Sequence, residues 1–390
     1  MSFDFDSAID RSGSSSLKFD ARKAYFGRSD VMPMWVADMD FAAPPAVTEA
    51  LVARATHPIY GYTLFPDAVY QSLIDWCQRR YHWSVERSQI MMCPGVVPSL
   101  HAAIEALTEP GDKVIAQPPV YFPFFTAVTQ TGRELVLNPL KLDNGRYSMD
   151  LEHLEDCAKA GARLLLLCSP HNPVGRVWQR QELLELLALA ERYQMTIISD
   201  EIHADLIFPG QTHLPLADLT DSVNVLTAIA PSKTFNIPGL GLSSLVVPKK
   251  ADRKAINQVF ESWHISAANP FSITAYEAAY RHGDAWLDAL MAYLQQSLDT
   301  ARGFISAEMD GIDLIEPEGT YLLWLDCRQL GLDNQALRSF FIEQAGVGMN
   351  PGYVFGDTGS GFMRLNMGCP RAQLNMALAK MAEAVTELKR

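Results

Sequence analysis

A chain of 390 residues with 48% hydrophobic and 20% charged residues has the composition of a globular enzyme and the length for two or three domains around a large core. The formal net charge of -13 and the pI near 5.1 disfavour a nucleic-acid or anionic-membrane surface and point to a small-molecule site. The amino terminus carries acids where a signal peptide would carry a basic start and an apolar core, and no apolar run approaches a membrane span. Cys77, Cys93, Cys157, Cys168, Cys327 and Cys369 have no zinc-like or redox spacing, so metal binding is not expected; they read as free thiols in a reducing cytoplasm.

In chain order, an apolar segment ends at Cys93 and is followed by a glycine turn and a helical run over 100–107. Short β-branched or leucine-rich runs then predict strands at 113–116, 134–137, 163–168, 196–199, 223–227 and 242–247. Leucines at helical spacing over 181–190 lie between two of them. Such alternation predicts an α/β fold whose largely parallel sheet is covered on both faces. After Pro248 the pattern is mainly helical, with a long helix over 284–309, strands over 319–325 and 362–366, and a closing helix over 371–389. The expected division is a large domain at 50–285 and a smaller α/β domain at 286–390, with the segment 1–49 packing on the smaller one.

Chemistry-bearing residues fall at the carboxyl ends of these strands, where open α/β sheets bind ligands. Gly95, Val96 and Val97 open a helix whose backbone N–H groups suit a phosphate, although any turn into a helix reads the same way. Tyr121 can cover one face of a planar cofactor or be a core tyrosine. Asn172, in Ser169-Pro170-His171-Asn172-Pro173-Val174-Gly175, can serve a ring oxygen and a carboxylate or simply make a turn. Asp200, in Ser199-Asp200-Glu201-Ile202-His203, can hold a pyridine nitrogen protonated or start a solvated helix. Lys233, among turn-forming residues after a strand, can form a Schiff base with a carbonyl such as that of pyridoxal 5'-phosphate when its ammonium is disfavoured; in isolation it could equally be a surface lysine. Their convergence on successive strand ends outweighs each bland alternative.

The order Gly95, Tyr121, Asn172, Asp200, Ser232-Lys233 and Arg364 resembles the fold-type I pyridoxal-phosphate enzymes of the class I/II aminotransferase superfamily. Trp35-Val36-Ala37-Asp38-Met39-Asp40-Phe41, Ser199-Asp200-Glu201-Ile202-His203, Ser232-Lys233-Thr234-Phe235-Asn236-Ile237-Pro238-Gly239 and Arg364-Leu365-Asn366-Met367-Gly368-Cys369-Pro370-Arg371 are similar to the MalY/PatB branch of cystathionine β-lyases and related C-S lyases, from the first residues to the last helix. The resemblance implies a mostly parallel seven-stranded sheet, with Lys233 bound to the cofactor and Asp200 at its ring nitrogen. It further implies Tyr121 on the ring, Asn172 at the ring oxygen, His203 among the cofactor-binding residues, and Arg364 with Asn172 at the substrate's α-carboxylate. The backbone of Gly95, Val96 and Val97 and the Ser232 hydroxyl would hold the phosphate, and Tyr62 would reach the phosphate of the neighbouring subunit in a homodimer.

The family's usual phosphate-binding serine and arginine are replaced here by Ala230 and Gly241, and valine stands at 174 where threonine is usual. The implied reaction is β-elimination from L-cystathionine or another L-cysteine S-conjugate, a step related to methionine biosynthesis, with Lys233, Tyr121 and Asp200 catalytic. An aminotransferase acting on an L-amino acid and a regulatory binding protein on the same fold are the rival readings.

Overall fold

A computed structural model describes residues 3–390; Met1 and Ser2, which open the acidic amino terminus, lie outside the described residues. The main sheet has seven strands: β1 (Ile90–Cys93), β2 (Lys113–Ala116), β3 (Glu134–Leu137), β4 (Leu164–Cys168), β5 (Thr196–Asp200), β6 (Asn224–Ile229) and β7 (Ser243–Val246), in the order β1-β7-β6-β5-β4-β2-β3. Neighbours from β6 to β3 pair in parallel, and β7 alone runs against both its neighbours, β1 and β6.

Strand alternation explains why this sheet is buried on both sides. Leu164, Leu166, Ile198, Leu226 and Ala228 pack with Leu100 and Ile104 of the helix Val96–Leu107 and with Ile256 of Lys250–Ser262. Leu165, Leu167, Ile197 and Val225 face the other way, toward Leu183 and Leu186 of Arg180–Arg192 and Leu154 of Leu151–Lys159. With both faces apolar, polar side chains gather at the strand ends. Because β7 is reversed, its first residue joins the carboxyl ends of β1, β2, β4, β5 and β6 on one edge.

The long helix Asp284–Glu308 leads into an antiparallel sheet of β8 (Asp313–Ile315), β9 (Leu322–Asp326), β10 (Asn350–Pro351) and β11 (Phe362–Asn366), ordered β8-β9-β11-β10. The helix Arg371–Leu388 follows it. The amino-terminal strand Met32–Pro33 pairs in parallel with Val347–Gly348. Among the described residues no helix is long and apolar enough to cross a membrane.

The strand expected over 319–325 begins only at Leu322, because Gly319 bridges to Ile207 and Thr320 takes a left-handed φ of 70°. Segment 90–93, apolar in sequence, is an edge strand held by β7. A hairpin of Lys141–Asp143 and Arg146–Ser148 also forms around Asn144-Gly145, both at positive φ, the signal of a two-residue turn. Leu166 is 1% exposed at the centre of the sheet. Leu166→Ala should therefore destabilise the protein by about 2–5 kcal/mol, read as a lower midpoint of urea unfolding; an unchanged midpoint would contradict this packing.

Candidate active site

The shared sheet edge encloses a cavity of about 280 Å³. Gly95, Val96 and Val97 enter it after β1, Tyr121 after β2, Asn172 after β4, Asp200 and His203 at the end of β5, and Ser232 and Lys233 after β6. Each sits where its strand stops, so the side chains converge although the sequence separates them by more than a hundred residues. Ala37 from the amino-terminal segment and Ser243 from the start of β7 complete the wall.

Lys233 Nζ donates to the Ala37 carbonyl at 2.7 Å and forms no ion pair among the described residues. Burial, and next the positive charge of Arg364, lower its pKa to about 8. Asp200 is buried with a hydrogen bond from the Ile202 N–H, 3.1 Å, and burial raises its carboxyl to about 7. Burial, then Lys233 and Arg364, hold His203 down at about 3, so its imidazole is neutral; its Nδ1 is buried without a partner among the described residues.

Arg364 lies in the middle of β11 and is 3% exposed. Its Nη1 donates to Asn172 Oδ1 at 3.1 Å, and its Nη2 donates to the Trp35 carbonyl at 3.1 Å and to Asn350 Oδ1 at 2.7 Å. The Phe355 ring lies 4.8 Å from the guanidinium, and Nε is buried without a partner among the described residues. All these partners are neutral, so the site contains a buried cation prepared for an external carboxylate. Burial lowers its pKa to about 10, which leaves it charged at neutral pH.

The helix Val96–Leu107 has no side-chain cap at Gly95, so the N–H groups of Val96 and Val97 remain open to an anion. Tyr62 is not among the cavity residues of its own chain; it is fully exposed on the loop between Pro45–Thr56 and Asp67–Tyr81. Among the described residues no cluster of His, Cys, Asp or Glu is placed to hold a metal ion.

A family model described as aminotransferase class I and II matches residues 29–381. The chain belongs to that family. It is 41% identical to cystathionine β-lyase PatB of Bacillus subtilis strain 168 over 98% of this chain and 100% of the relative. Protein MalY of Escherichia coli K12 is 33% identical over 99% of this chain and 100% of its own. The crystal structure of cystalysin from Treponema denticola, which contains a pyridoxal 5'-phosphate cofactor, superposes with a TM-score of 0.94 at 33% identity and covers 100% of both chains. The membership is thus to the MalY/PatB-type C-S lyase branch of the aminotransferase class I and II family.

Sequence reading missed two polar groups of this class I/II site. Ser243 was hidden because the reversal of β7, which brings its first residue to the ligand edge, is not encoded in local pattern. Tyr321, just before β9, donates its hydroxyl to the same Ala37 carbonyl at 2.9 Å; the Gly319-Thr320 turn ahead of it was the available signal. Only the neutral lysine amine attacks an aldehyde. The rate of pyridoxal 5'-phosphate uptake by the stripped protein should therefore rise with pH through an inflection near pH 8 and level off above it, as Lys233 loses its proton. Arg364→Met removes a positive neighbour and should move that inflection upward in stopped-flow absorbance; no movement would show that Arg364 does not tune the amine.

Proposed function

We propose that the protein is a pyridoxal 5'-phosphate-dependent C-S β-lyase cleaving L-cystathionine or related L-cysteine S-conjugates to a thiol, pyruvate and ammonia. The observation that carries this reading is a half-buried amine of lowered pKa and a buried lone carboxyl in one cavity, with a buried guanidinium without a counter-ion bonded to Asn172 of its wall. The donor set fits the cofactor: Asp200 lacks a cation that a protonated ring nitrogen would supply, and the free N–H groups of Val96 and Val97 with the Ser232 hydroxyl suit its phosphate. When bound, pyridoxal 5'-phosphate supplies an aldehyde for the Lys233 amine and a pyridinium ring that takes up the electron pair of a broken Cα–H bond.

In this reading Asp200 keeps the ring nitrogen protonated, and its own pKa falls from about 7 once that positive charge is opposite it. Tyr121 covers the ring, and His203 is held against it as a neutral imidazole. Asn172 uses Oδ1 for Arg364, leaving its Nδ2 to donate to the ring oxygen. Arg364 holds the substrate's α-carboxylate, which orients the Cα proton toward Lys233. The freed Lys233 amine takes that proton, the Cβ–S bond breaks, and Lys233 or Tyr121 returns a proton to the departing thiolate. The three-carbon enamine left behind adds water and yields pyruvate and ammonia.

Val52, Ile59, Tyr60, Tyr62 and Leu64 form an exposed apolar stretch over the helix Pro45–Thr56 and the loop after it, which supports a homodimer with Tyr62 at the partner's phosphate. The six cysteines are buried and unpaired, which supports a cytoplasmic location. We divide the chain into the segment 1–49, a cofactor-binding domain at 50–285 and a small domain at 286–390, the long helix Asp284–Glu308 carrying the connection.

Cofactor-loaded protein given L-cystathionine without any keto acid should release pyruvate over many turnovers. An absence of pyruvate together with amino transfer to an added keto acid would establish an aminotransferase instead. Lys233→Ala should abolish pyruvate release, and Asp200→Asn should lower kcat by about 10²-fold or more, since the charge aimed at the ring is lost. Arg364→Lys, which cannot make the bidentate carboxylate contact, should lower kcat/KM by about 10- to 100-fold. Near-normal turnover in the Lys233 variant would overturn the mechanism.

A further inference from the structure

The reading of the cavity as a pyridoxal 5'-phosphate site leaves its phosphate without a cation from the usual place, since Ala230 and Gly241 carry no hydroxyl and no charge. The structure shows what Gly241 does in exchange. It takes a left-handed φ of 43°, and a Cβ there would lie 3.4 Å from the Pro94 carbonyl oxygen. The backbone leading into β7 therefore passes close to the Pro94-Gly95 turn, in a conformation that a side-chain-bearing residue adopts only at a cost.

Two residues later the chain delivers Ser243 into the cavity wall. Its hydroxyl is fully buried and lies between the end of β1 and the first turn of the helix Val96–Leu107. It is 3.4 Å from the Cys93 carbonyl and 3.5 Å from Ser99 Oγ, both at the outer limit of a hydrogen bond. Ser99 itself is better occupied, donating to the Gly95 carbonyl at 2.7 Å. A buried hydroxyl held this weakly can rotate toward a stronger acceptor, and hydrogen bonds to a charged acceptor exceed those to a neutral carbonyl. The acceptor expected beside it is the anion cradled by the N–H groups of Val96 and Val97.

We propose that Ser243 is a cofactor-phosphate ligand of this chain, completing with Val96, Val97 and Ser232 a cradle of neutral donors. The inference rests on the pyridoxal-phosphate reading and is separable from it. Full-length protein stripped of cofactor is titrated with pyridoxal 5'-phosphate and, separately, with pyridoxal, following the quenching of tryptophan fluorescence. Ser243→Ala should weaken pyridoxal 5'-phosphate by about 10- to 100-fold and leave the Kd of pyridoxal within about twofold. The pyridoxal titration is the internal control for folding, because a distorted site loses both ligands. Equal loss of both, or no loss of either, overturns the role of Ser243 while leaving the cofactor reading standing. Wild-type protein that takes up neither ligand overturns the cofactor reading and this inference with it.

Discussion

Two cations, the half-buried Lys233 and the buried Arg364, sit at one site with only neutral hydrogen-bond acceptors, and the rest of the architecture is organised around tolerating that arrangement. Removing an ion from water without a counter-ion costs several kcal/mol even after relaxation. Arg364 offsets part of that cost through two side-chain carbonyls, one backbone carbonyl and the face of Phe355. The residual cost shows in the lowered pKa values of both groups. A fold that keeps such charges dry is poised for ligands that bring the missing negative charge, and their binding recovers the free energy spent in burying the cations.

Holding that arrangement requires parts of the chain that no single element supplies. The Ala37 carbonyl that receives Lys233 and Tyr321 belongs to a stretch without regular structure, and such a stretch needs its backbone groups satisfied elsewhere. Asn366, at the end of β11, donates to the Val36 and Asp38 carbonyls, both at 2.6 Å. Asn236, three residues after the lysine, accepts from the Met39 N–H at 2.9 Å and donates to the Met39 and Phe41 carbonyls at 2.8 and 2.7 Å. Behind it, Arg11 and the fully buried Lys18 pair with Asp38 and Asp40. The amino-terminal segment is thereby tied to the lysine turn and to the arginine strand, so that Ala37, Lys233 and Arg364 keep one mutual geometry.

The alternation of short apolar runs with helical ones was legible in the sequence, because strands buried on both faces need continuous apolar residues. The run 113–116 coincides with β2 for that reason, whereas 134–137 forms β3 at the half-exposed edge of the sheet and was marked by its leucines and valine alone. Asp200, Asn172 and Lys233 could be singled out because each follows such a run, where a polar or turn-forming residue interrupts an apolar pattern. The largely parallel direction followed from the alternation, but pairing partners and the one reversed strand were not legible: they arise from contacts between distant segments, so the reversal of β7 and the position of Ser243 stayed hidden. Tyr62 was marked by resemblance alone, since nothing in its own chain touches the cavity through it.

Arg364 also links substrate binding to basicity. In the bare site its charge is the second cause, after burial, of the low pKa of Lys233. On the proposed reaction the substrate's α-carboxylate pairs with Arg364 and cancels most of that positive field. The Lys233 amine, released at the same stage, then becomes a stronger base than it was as a nucleophile, because its ammonium form no longer faces an unpaired cation. A low pKa favours capture of an aldehyde, and a higher one favours abstraction of a Cα proton; one buried guanidinium, unpaired before substrate arrives and paired afterwards, serves both requirements in sequence.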